Sequence, residues 1–262
     1  MGALPGCRLL TGGRDGPVSA EERSGGAGWF DVEPFRAAGH RVVVVRRVTS
    51  PAIVLGSTQD ERVVDRQRAS QAGFAVVRRR SGGGAVLVGP GDPWWFDLWI
   101  PRGDPLFDDD VGRAPAWVGE CWVTTLGALG LGDPGGLQVH RGPPVRAPWS
   151  DLVCFAGIGP GEVVATFRGS AQPPRKVVGI AQWRGREGVL FHCAAYRRWD
   201  PRALSDLLVV PGPQRRELGP ALAASAAGLE QLGGAVPGPG QVIEAFLGSL
   251  PGDGPWEARS GV

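Results

Sequence analysis

One lysine stands out among the residues that could do chemistry. Lys176, in the stretch PPRKVVGIAQWR, is the only lysine of the 262-residue chain, and every other basic residue except histidine is arginine. An ammonium is compact and its pKa responds to its surroundings, whereas a guanidinium is planar and permanently charged. Lys176 is therefore a candidate for binding a carbonyl or phosphate at the start of the strand KVVGIAQ. The alternative is an ordinary strand-end lysine that reaches water.

The strand that begins at Lys176 carries two small residues, Gly179 and Ala181. Alternation along a strand predicts that they share one face and that Lys176 lies on the other face. Small residues at adjacent positions of one face allow a ligand or another backbone to approach closely. We therefore expect Gly179 and Ala181 to line a ligand site.

A glycine-rich loop, RRRSGGGAV, lies upstream at 78–86. Glycine lets the backbone approach a ligand, and exposed N–H groups beside arginines favour an anion. Neither the GxGxxG nor the GxxxxGK[ST] nucleotide fingerprint is present. The alternative is a flexible hairpin. The candidate binding residues of this loop are Arg79, Arg80, Ser81, Gly82, Gly83 and Gly84.

The third candidate is Cys154, in the apolar run DLVCFAG. A cysteine in such a run is commonly a small buried hydrophobe. The alternative is a nucleophilic thiolate, which requires a nearby cation to lower the pKa of the thiol. Cys121 and Cys193 fit core positions of a helix and a strand, and Cys7 lies in a poorly patterned terminus.

Composition and charge limit the possible partners. The formal net charge is +2, too close to neutral to predict nucleic-acid binding without a basic stripe. No asparagine is present, and Gly, Ala, Arg and Pro are abundant, a bias typical of G/C-rich codons. No apolar run is long enough to span a membrane, and the N-terminus lacks a secretory pattern. The scattered cysteines and histidines predict neither a disulfide scaffold nor a metal site, so we expect a cytoplasmic protein.

The order of elements predicts a mostly antiparallel α+β fold. Strand patterns occur in HRVVVVRRV, SPAIVLG, FAVVRRR, AVLV, WWFDLWIP, DLVCFAGI, EVVATF, KVVGIAQW and VLFHCAAY. Helices are predicted over 61–71, from 108 through WVGECWVTTLGALGL, over 215–229 and over 241–250. Strands dominate the first part of the chain and helices close it, which favours an antiparallel sheet over alternating βα units.

Taken together, the motifs resemble those of the lipoate–protein ligase and octanoyltransferase family. The resemblance rests on RRRSGGGAV followed about 90 residues later by KVVGIAQ, and on PAIVLGSTQ, which ends at Gln59. It covers about 41–200. It implies the catalytic fold that this family shares with biotin protein ligases. It also implies one catalytic domain over 1–262, with an atypical segment over 1–40, closing helices over 201–262 and no C-terminal accessory domain.

The resemblance assigns roles to these residues. The family's lysine, here Lys176, contacts the carbonyl and phosphate of the bound acyl group, and the glycine loop covers the acyl chain. Cysteine-dependent octanoyltransferases place a nucleophile in a context similar to that of Cys154, with Pro160 and Glu162 after it. One departure is Val88, which stands where the family usually has a histidine after the loop.

Two mechanisms follow from the resemblance. In acyl transfer, Cys154 attacks an acyl thioester on a carrier protein, Lys176 lowers the pKa of the thiol or stabilises the oxyanion, and no cofactor is needed. In ligation, ATP and Mg²⁺ are co-substrates, and the loop and Lys176 hold a lipoyl-adenylate. Cys154 and the expected lack of an accessory domain favour transfer, whereas the GGG form of the loop favours ligation.

Both mechanisms imply the same acceptors: the lipoyl domains of 2-oxoacid dehydrogenase E2 subunits and the glycine cleavage H protein. Acyl carrier protein is the donor expected for transfer. A hypothesis of another class is a non-catalytic paralogue that binds lipoate or lipoyl domains after loss of the family histidine. A biotin ligase is a further alternative, but the lysine strand follows the lipoate pattern better.

Overall fold

The computed structural model describes residues 7–9, 32–133, 135–169 and 171–261, with the backbone alone for 7–9 and 259–261. Most of the predicted atypical N-terminal segment over 1–40 therefore lies outside the described residues. Within the described ranges, no helix is both long and apolar enough to cross a membrane.

Eleven strands within the described residues form two sheets. The strands are β1 Cys7–Leu9, β2 Arg41–Arg46, β3 Ala52–Leu55, β4 Ala75–Arg78, β5 Val86–Val88, β6 Trp94–Pro101, β7 Leu137–Val139, β8 Val163–Ala165, β9 Arg175–Arg184, β10 Gly188–Ala195 and β11 Trp256–Gly261. The large sheet has the order β1-β11-β2-β6-β10-β9-β8-β7, and the small sheet has the order β4-β3-β5. Pairing is antiparallel in the centre of the large sheet, from β2 through β7 in that order.

Six α-helices accompany the sheets in the described part of the chain. They are α1 Glu33–Arg36, α2 Arg66–Gln71, α3 Ala116–Ala128, α4 Arg202–Leu207, α5 Gly212–Ser225 and α6 Pro239–Ser249. Short 3₁₀ helices cover Glu61–Val63, Cys154–Ala156 and Leu229–Gln231. The prediction of a mostly antiparallel α+β fold with flanking helices is confirmed.

The side chains of the large sheet alternate between its faces, so one face borders one hydrophobic core and the other face borders two. On β6, Phe96 packs with Trp122 of α3 and Phe246 of α6 in the first core. Its neighbour Trp95 belongs to the second core, which includes the small sheet and the helices α4 and α5. The site described below lies in this second layer, between the two sheets.

Two of the predicted helices have different bounds in the structure. The helix expected from Asp108 begins only at Ala116, because the carboxylates of Asp108 and Asp110 accept backbone N–H bonds in turns and Pro115 lies at the helix N-cap. The helix predicted over 215–229 covers Gly212–Ser225. Beyond it, the chain extends so that the amide of Ala227 donates to the carbonyl of Lys176 at 2.9 Å.

The strand predicted over DLVCFAGI was wrong. Val153 makes a single parallel bridge with Ala85, and the chain then turns into the 3₁₀ helix Cys154–Ala156. The apolar residues of this run are buried by packing rather than by a sheet: Phe155 stacks on Trp199 with ring centroids 5.2 Å apart. Cys154 thus lies on a turn, and its side chain is not enclosed in a strand core.

Candidate active site

Lys176 lies at the start of β9 and is buried, with 2% of its surface exposed. Its Nζ lies 2.6 Å from Glu162 Oε2 and donates to the main-chain carbonyl of Cys154, also at 2.6 Å. The ammonium is 5.4 Å from the centroid of the Phe155 ring. Burial of a charge is costly unless it is paired, so Glu162 is the residue that makes a buried lysine possible here.

Glu162 in turn is held by the backbone. Its carboxylate accepts N–H bonds from Gly159 at 2.5 Å and from Ile180 at 3.1 Å, in addition to the contact with Lys176. These contacts fix the carboxylate between the turn before β8 and the middle of β9. Glu162 was singled out in the sequence only by the resemblance to cysteine-dependent octanoyltransferases. The signal for its role is a single acidic residue directly before the apolar run VVATF.

The predicted alternation along β9 was wrong at its start. Val163 pairs with Val178 and Val164 pairs with Lys176, so Val177 is an extra residue on β9. Such a bulge interrupts the regular alternation of faces. As a result, Lys176 contacts Phe155 and Glu162, the same two residues that a side chain at Gly179 would meet. Lys176 therefore lies on the same side of β9 as Gly179 and not opposite to it.

Cys154 lies between Lys176 and the glycine loop. Its amide donates to the carbonyl of Ala85 at 3.0 Å, and its side chain is half-buried. A Cβ at Gly83 would lie 3.8 Å from the Cys154 Sγ and 3.0 Å from Arg79 Nη2. The thiol and the buried guanidinium therefore flank the same glycine of the loop.

The glycine loop requires its glycines for two separate reasons. Gly83 has φ +97°, in the left-handed region that favours glycine. Gly84 packs directly on the backbone of Val153 and Cys154, where a Cβ would approach within 2.5 Å. A Cβ at Gly56, after β3, would also collide with the Gly83 carbonyl at 1.9 Å. The loop is thus packed closely against the neighbouring backbone, which favours a fixed conformation over the alternative of a flexible hairpin.

The three arginines of the loop have different surroundings. Arg79 is buried and donates to the carbonyls of Val54, Gly82 and Gly84 and to Ser81 Oγ. Burial lowers the pKa of its guanidinium, and the neighbouring Cys154 and Tyr196 oppose this shift. Arg78 donates to the carbonyls of the turn after β3, whereas Arg80 is exposed.

Arg79 and Ser81, which are both buried, therefore fix the conformation of the loop through their hydrogen bonds. Gln59, which the resemblance placed at the end of the early strand, has a similar role: its amide donates to the carbonyls of Asp151 and Leu152. These contacts tie the loop side of the site to the segment that carries Cys154.

A small pocket lies between the two sheets. Its walls are mostly apolar and come from both sheets and the Cys154 turn. The lining residues are Arg79, Val86, Trp95, Cys154, Phe155, Gly179, Ala181, His192 and Ala194. Gly179 and Ala181 thus lie in the pocket wall. At Gly179 a Cβ would be 3.1 Å from the Phe155 ring, so the absent side chain also makes room for that ring.

A buried polar cluster around Asp97 lies behind the pocket. It was not predicted from the sequence, where His192 is one of three scattered histidines. Asp97 Oδ1 lies 2.6 Å from His192 Nδ1 and accepts from Trp95 Nε1 at 2.9 Å, while Oδ2 accepts from Arg46 Nε at 2.7 Å. Burial raises the pKa of Asp97, but Arg46 and His192 outweigh it and lower the pKa to about 2. The sequence signal is a charged residue within the buried run WWFDLWIP.

The other cysteines whose side chains are described lie in the core, as predicted. Cys121 is on α3, where burial raises the pKa of its thiol to about 12. Cys193 is fully buried on β10, and burial raises the pKa of its thiol far above the ordinary value. A high thiol pKa disfavours the thiolate, so neither residue is suited to nucleophilic attack.

The chemistry that this arrangement can support is specific. An apolar pocket that contains one thiol and a buried guanidinium, with a buried ammonium nearby, can stabilise negative charge at an acyl carbonyl. Lys176, Cys154, Arg79, Gly83, Gly179 and Ala181 are brought together at this point. Of the remaining predicted residues, Ser81 and Gly84 support the loop, whereas Arg80 and Gly82 lie on its exposed side.

The fold is similar to that of solved lipoate–protein ligases. A bipartite lipoate–protein ligase from Thermoplasma acidophilum, studied with its E2 lipoyl domain, has a TM-score of 0.63 at 20% identity and covers 84% of this chain and 74% of its own. A second T. acidophilum structure, with bound lipoic acid, has a TM-score of 0.61 at 19% identity and coverages of 87% and 81%. Lipoate–protein ligase A bound with ATP has a TM-score of 0.59 at 20% identity and coverages of 84% and 76%.

The sequence itself defines the family. Residues 36–250 match the model of the lipoyl protein ligase A/B catalytic domain. The chain therefore belongs to the lipoyl protein ligase A/B catalytic domain family and is an enzyme of the ligase and transferase class, as the motifs predicted. A search of curated protein sequences finds no significant match.

Proposed function

We propose that this enzyme attaches an octanoyl or lipoyl group to the acceptor lysine of lipoyl domains by acyl transfer through Cys154. The observation that carries the proposal is the position of Cys154. Its half-buried thiol lines the apolar pocket beside Gly83 and Arg79, and its own carbonyl holds Lys176 at 2.6 Å.

In this mechanism the acyl chain of a carrier thioester fills the pocket between the sheets. The Cys154 sulfur attacks the thioester carbonyl, and the carrier thiol leaves. The acceptor lysine amine then attacks the Cys154 thioester, which forms the amide and releases the cysteine. The cations Arg79 and Lys176 favour the negative charge that develops on the sulfur and on the carbonyl oxygen.

Lys176 is suited to oxyanion stabilisation by its fixed position. Two of its three N–H donors are directed at Glu162 and at the Cys154 carbonyl, so the ammonium is anchored to the residue that carries the acyl group. The third donor remains for the substrate. A preorganised donor stabilises developing charge without reorganisation during the reaction.

The proposed acceptors are lipoyl domains of 2-oxoacid dehydrogenase E2 subunits and the H protein, and the proposed donor is acyl carrier protein. One similar structure was studied with an E2 lipoyl domain, which supports a lipoyl-domain acceptor. In this version the enzyme requires no cofactor, and the reaction takes place in the cytoplasm.

A second candidate is ATP-dependent ligation of lipoate. Arg80 is exposed beside the glycine loop, where its guanidinium could contact a phosphate of lipoyl-adenylate. A similar structure of lipoate–protein ligase A contains bound ATP. In this version ATP and Mg²⁺ are co-substrates and Cys154 forms no covalent intermediate.

The test is reconstitution with a purified lipoyl domain. Intact-mass analysis follows the domain after incubation with octanoyl carrier protein, or with lipoate, ATP and Mg²⁺. We expect octanoylation with the carrier and none with lipoate and ATP. Modification only with lipoate and ATP would replace transfer by ligation. Binding without modification under either condition would indicate a non-catalytic paralogue.

A further inference from the structure

The proposed reaction requires a group that can accept a proton. The thiol of Cys154 must lose its proton before attack, and the neutral amine of the acceptor lysine must lose a proton as the amide forms. Lys176 is ion-paired with Glu162, and an ammonium has donors but no acceptor. Arg79 retains its proton under all ordinary conditions.

His192 is the pocket residue that can accept a proton. The other described side chains around the pocket are apolar, except for the cation Arg79, the indole of Trp95, which only donates, and the nucleophile Cys154 itself. His192 lies on β10, directly opposite Ala181 of β9 and Asp97 of β6. It therefore shares the pocket face with Ala181.

Asp97 determines which imidazole nitrogen accepts. The carboxylate lies 2.6 Å from His192 Nδ1 and is fixed by Trp95 and Arg46. Because a carboxylate accepts hydrogen bonds, Nδ1 carries a hydrogen, and in the neutral ring Nε2 carries the lone pair. An acidic partner also stabilises the imidazolium that forms after proton uptake.

The absent loop histidine is consistent with this role. Val88 is buried on β5, on the same strand face as the pocket residue Val86. A histidine at that position would approach the pocket from the small sheet, but valine cannot exchange a proton. His192 supplies an imidazole to the same pocket from the large sheet.

We propose that His192, oriented by Asp97, is the proton-transfer residue of the Cys154 reaction; this inference rests on the proposed acyl transfer. In the first half-reaction, the Cys154 thiol proton passes to Nε2, the S–C bond to the acyl group forms, the bond to the carrier sulfur breaks, and Nε2 returns the proton to the carrier thiolate. In the second, Nε2 takes a proton from the attacking amine and returns it to the departing Cys154 thiolate.

The test measures each half-reaction with matched variants. Rapid-quench intact-mass analysis follows acyl transfer from an octanoyl thioester donor to Cys154, and then from Cys154 to a lipoyl domain. His192→Asn keeps an N–H donor for Asp97 near the Nδ1 position but removes Nε2, and His192→Gln places an amide near Nε2. We expect both variants, where folded, to slow both half-reactions by about 10²-fold or more.

The outcomes separate this inference from the proposed function. If wild type forms no Cys154 adduct, acyl transfer itself is wrong. If wild type forms the adduct and folded His192→Asn forms and transfers it at the wild-type rates, only the role of His192 is wrong. Asp97→Asn, which keeps the shape of the carboxylate but removes its charge, is expected to slow both half-reactions as well.

A measurement on wild type covers the case in which these variants do not fold. The chain has three histidines, so ¹⁵N-histidine labelling gives signals from three imidazoles; His40 is exposed and His140 is half-buried, whereas His192 is buried. We expect His192 to be the Nδ1–H tautomer and its Nε2 shift to change when Cys154 is alkylated with iodoacetamide. An Nε2–H tautomer, or a shift unaffected by alkylation, would overturn the proposal.

Discussion

Lys176 shows why one lysine persists in an arginine-rich chain. Its Nζ is bound by Glu162 and the Cys154 carbonyl at the same distance of 2.6 Å, within a site that also contains the Phe155 ring. A guanidinium is larger and forked, so it cannot occupy the point where these contacts converge without displacing one of them. The site therefore requires a positive charge, which lysine and arginine both supply, and a compact charged group, which only lysine supplies.

Replacement of Lys176 by arginine tests this requirement. We expect Lys176→Arg to lower the rate of lipoyl-domain modification by about 10²-fold or more, which is typical for loss of a preorganised donor. The rate is measured by intact mass, with circular dichroism as the control for folding. A folded Lys176→Arg variant with the wild-type rate would remove Lys176 from the mechanism.

Gly83 is a loop residue whose side chain would approach Cys154 and Arg79. Its φ of +97° disfavours valine, and a Cβ there would lie 3.0 Å from Arg79 and 3.8 Å from the Cys154 Sγ. We expect Gly83→Val to lose about 10²-fold in transfer rate because it displaces the groups around the thiol.

Gly73→Val is the matched control for backbone strain. Gly73 also has a positive φ, of +78°, but a Cβ there would meet no atom within 4 Å. Both substitutions are therefore expected to cost about 1–3 kcal/mol of stability, whereas only Gly83→Val impairs transfer. Equal activity of the two variants would show that the loop does not approach the substrate.

At the scale of elements, the sequence predicted the strands better than the site. Runs such as RVVVVR and WWFDLWIP are buried strands whose pattern is local, and the structure confirms them. The run DLVCFAGI has the same apolar character but forms a turn, because its residues are buried by distant aromatic side chains. That environment depends on contacts that no local pattern shows.

The contacts within the candidate site could be predicted only in part, for the same reason. Lys176, Cys154 and the glycine loop were identified from their order and from the family resemblance. The pairing of Lys176 with Glu162 depends on the bulge at Val177, which follows from strand register. The contact of Asp97 with His192 spans 95 residues and depends on the pairing of β6 with β10. Neither register could be derived from sequence alone.

We expect the pocket between the sheets to limit the length of the acyl chain, because the chain is proposed to bind there. Ala181 lies in its wall, and leucine there adds three carbons to the space proposed for the acyl chain. Loss of about three buried methylenes costs about 2.4 kcal/mol, or roughly 60-fold in affinity. We expect Ala181→Leu to transfer octanoyl poorly and butanoyl normally, as measured with thioester donors of both lengths.

Ala221→Leu is the surface control for this change, since Ala221 is exposed on α5. It should retain the wild-type preference for chain length. If Ala181→Leu also retains that preference, the acyl chain does not occupy the pocket between the sheets.

At the scale of the whole molecule, the C-terminal region supports the site. The amide of Ala227, just after α5, donates to the carbonyl of Lys176, and Leu222 of α5 accepts from the indole of Trp199, which stacks on Phe155. Residues distant in sequence thus fix both the lysine backbone and the aromatic wall of the pocket.

Asp92, in the turn before β6, contacts the chain just after β10 and makes the free energy of unfolding dependent on pH. It accepts the backbone N–H of Arg197 at 2.8 Å, and burial raises its pKa from 3.8 to about 6. Between these two pH values the folded state binds more protons than the unfolded state, so stability falls as pH rises. Above pH 6 the buried carboxylate is charged at a cost in folding free energy.

Asp92→Asn keeps an acceptor for the Arg197 amide but removes the charge. We expect it to be more stable than wild type at pH 7 by about 1 kcal/mol, or about 2–4 °C in Tm, after allowance for partial exposure. The difference should disappear near pH 3.5, where Asp92 is protonated in both states. A variant that is less stable than wild type at pH 7 would show that the charged carboxylate is stabilising.

The central claim is that acyl transfer passes through Cys154, and trapping of the acyl-enzyme tests it most directly. Wild-type protein and Cys154→Ser are each mixed with an octanoyl thioester donor without acceptor, and the adduct is located by intact-mass and peptide analysis. We expect a thioester on Cys154 of wild type, which a lipoyl domain removes, and neither adduct nor transfer for Cys154→Ser. No adduct on wild type, together with full ATP-dependent activity of Cys154→Ser, would contradict the account.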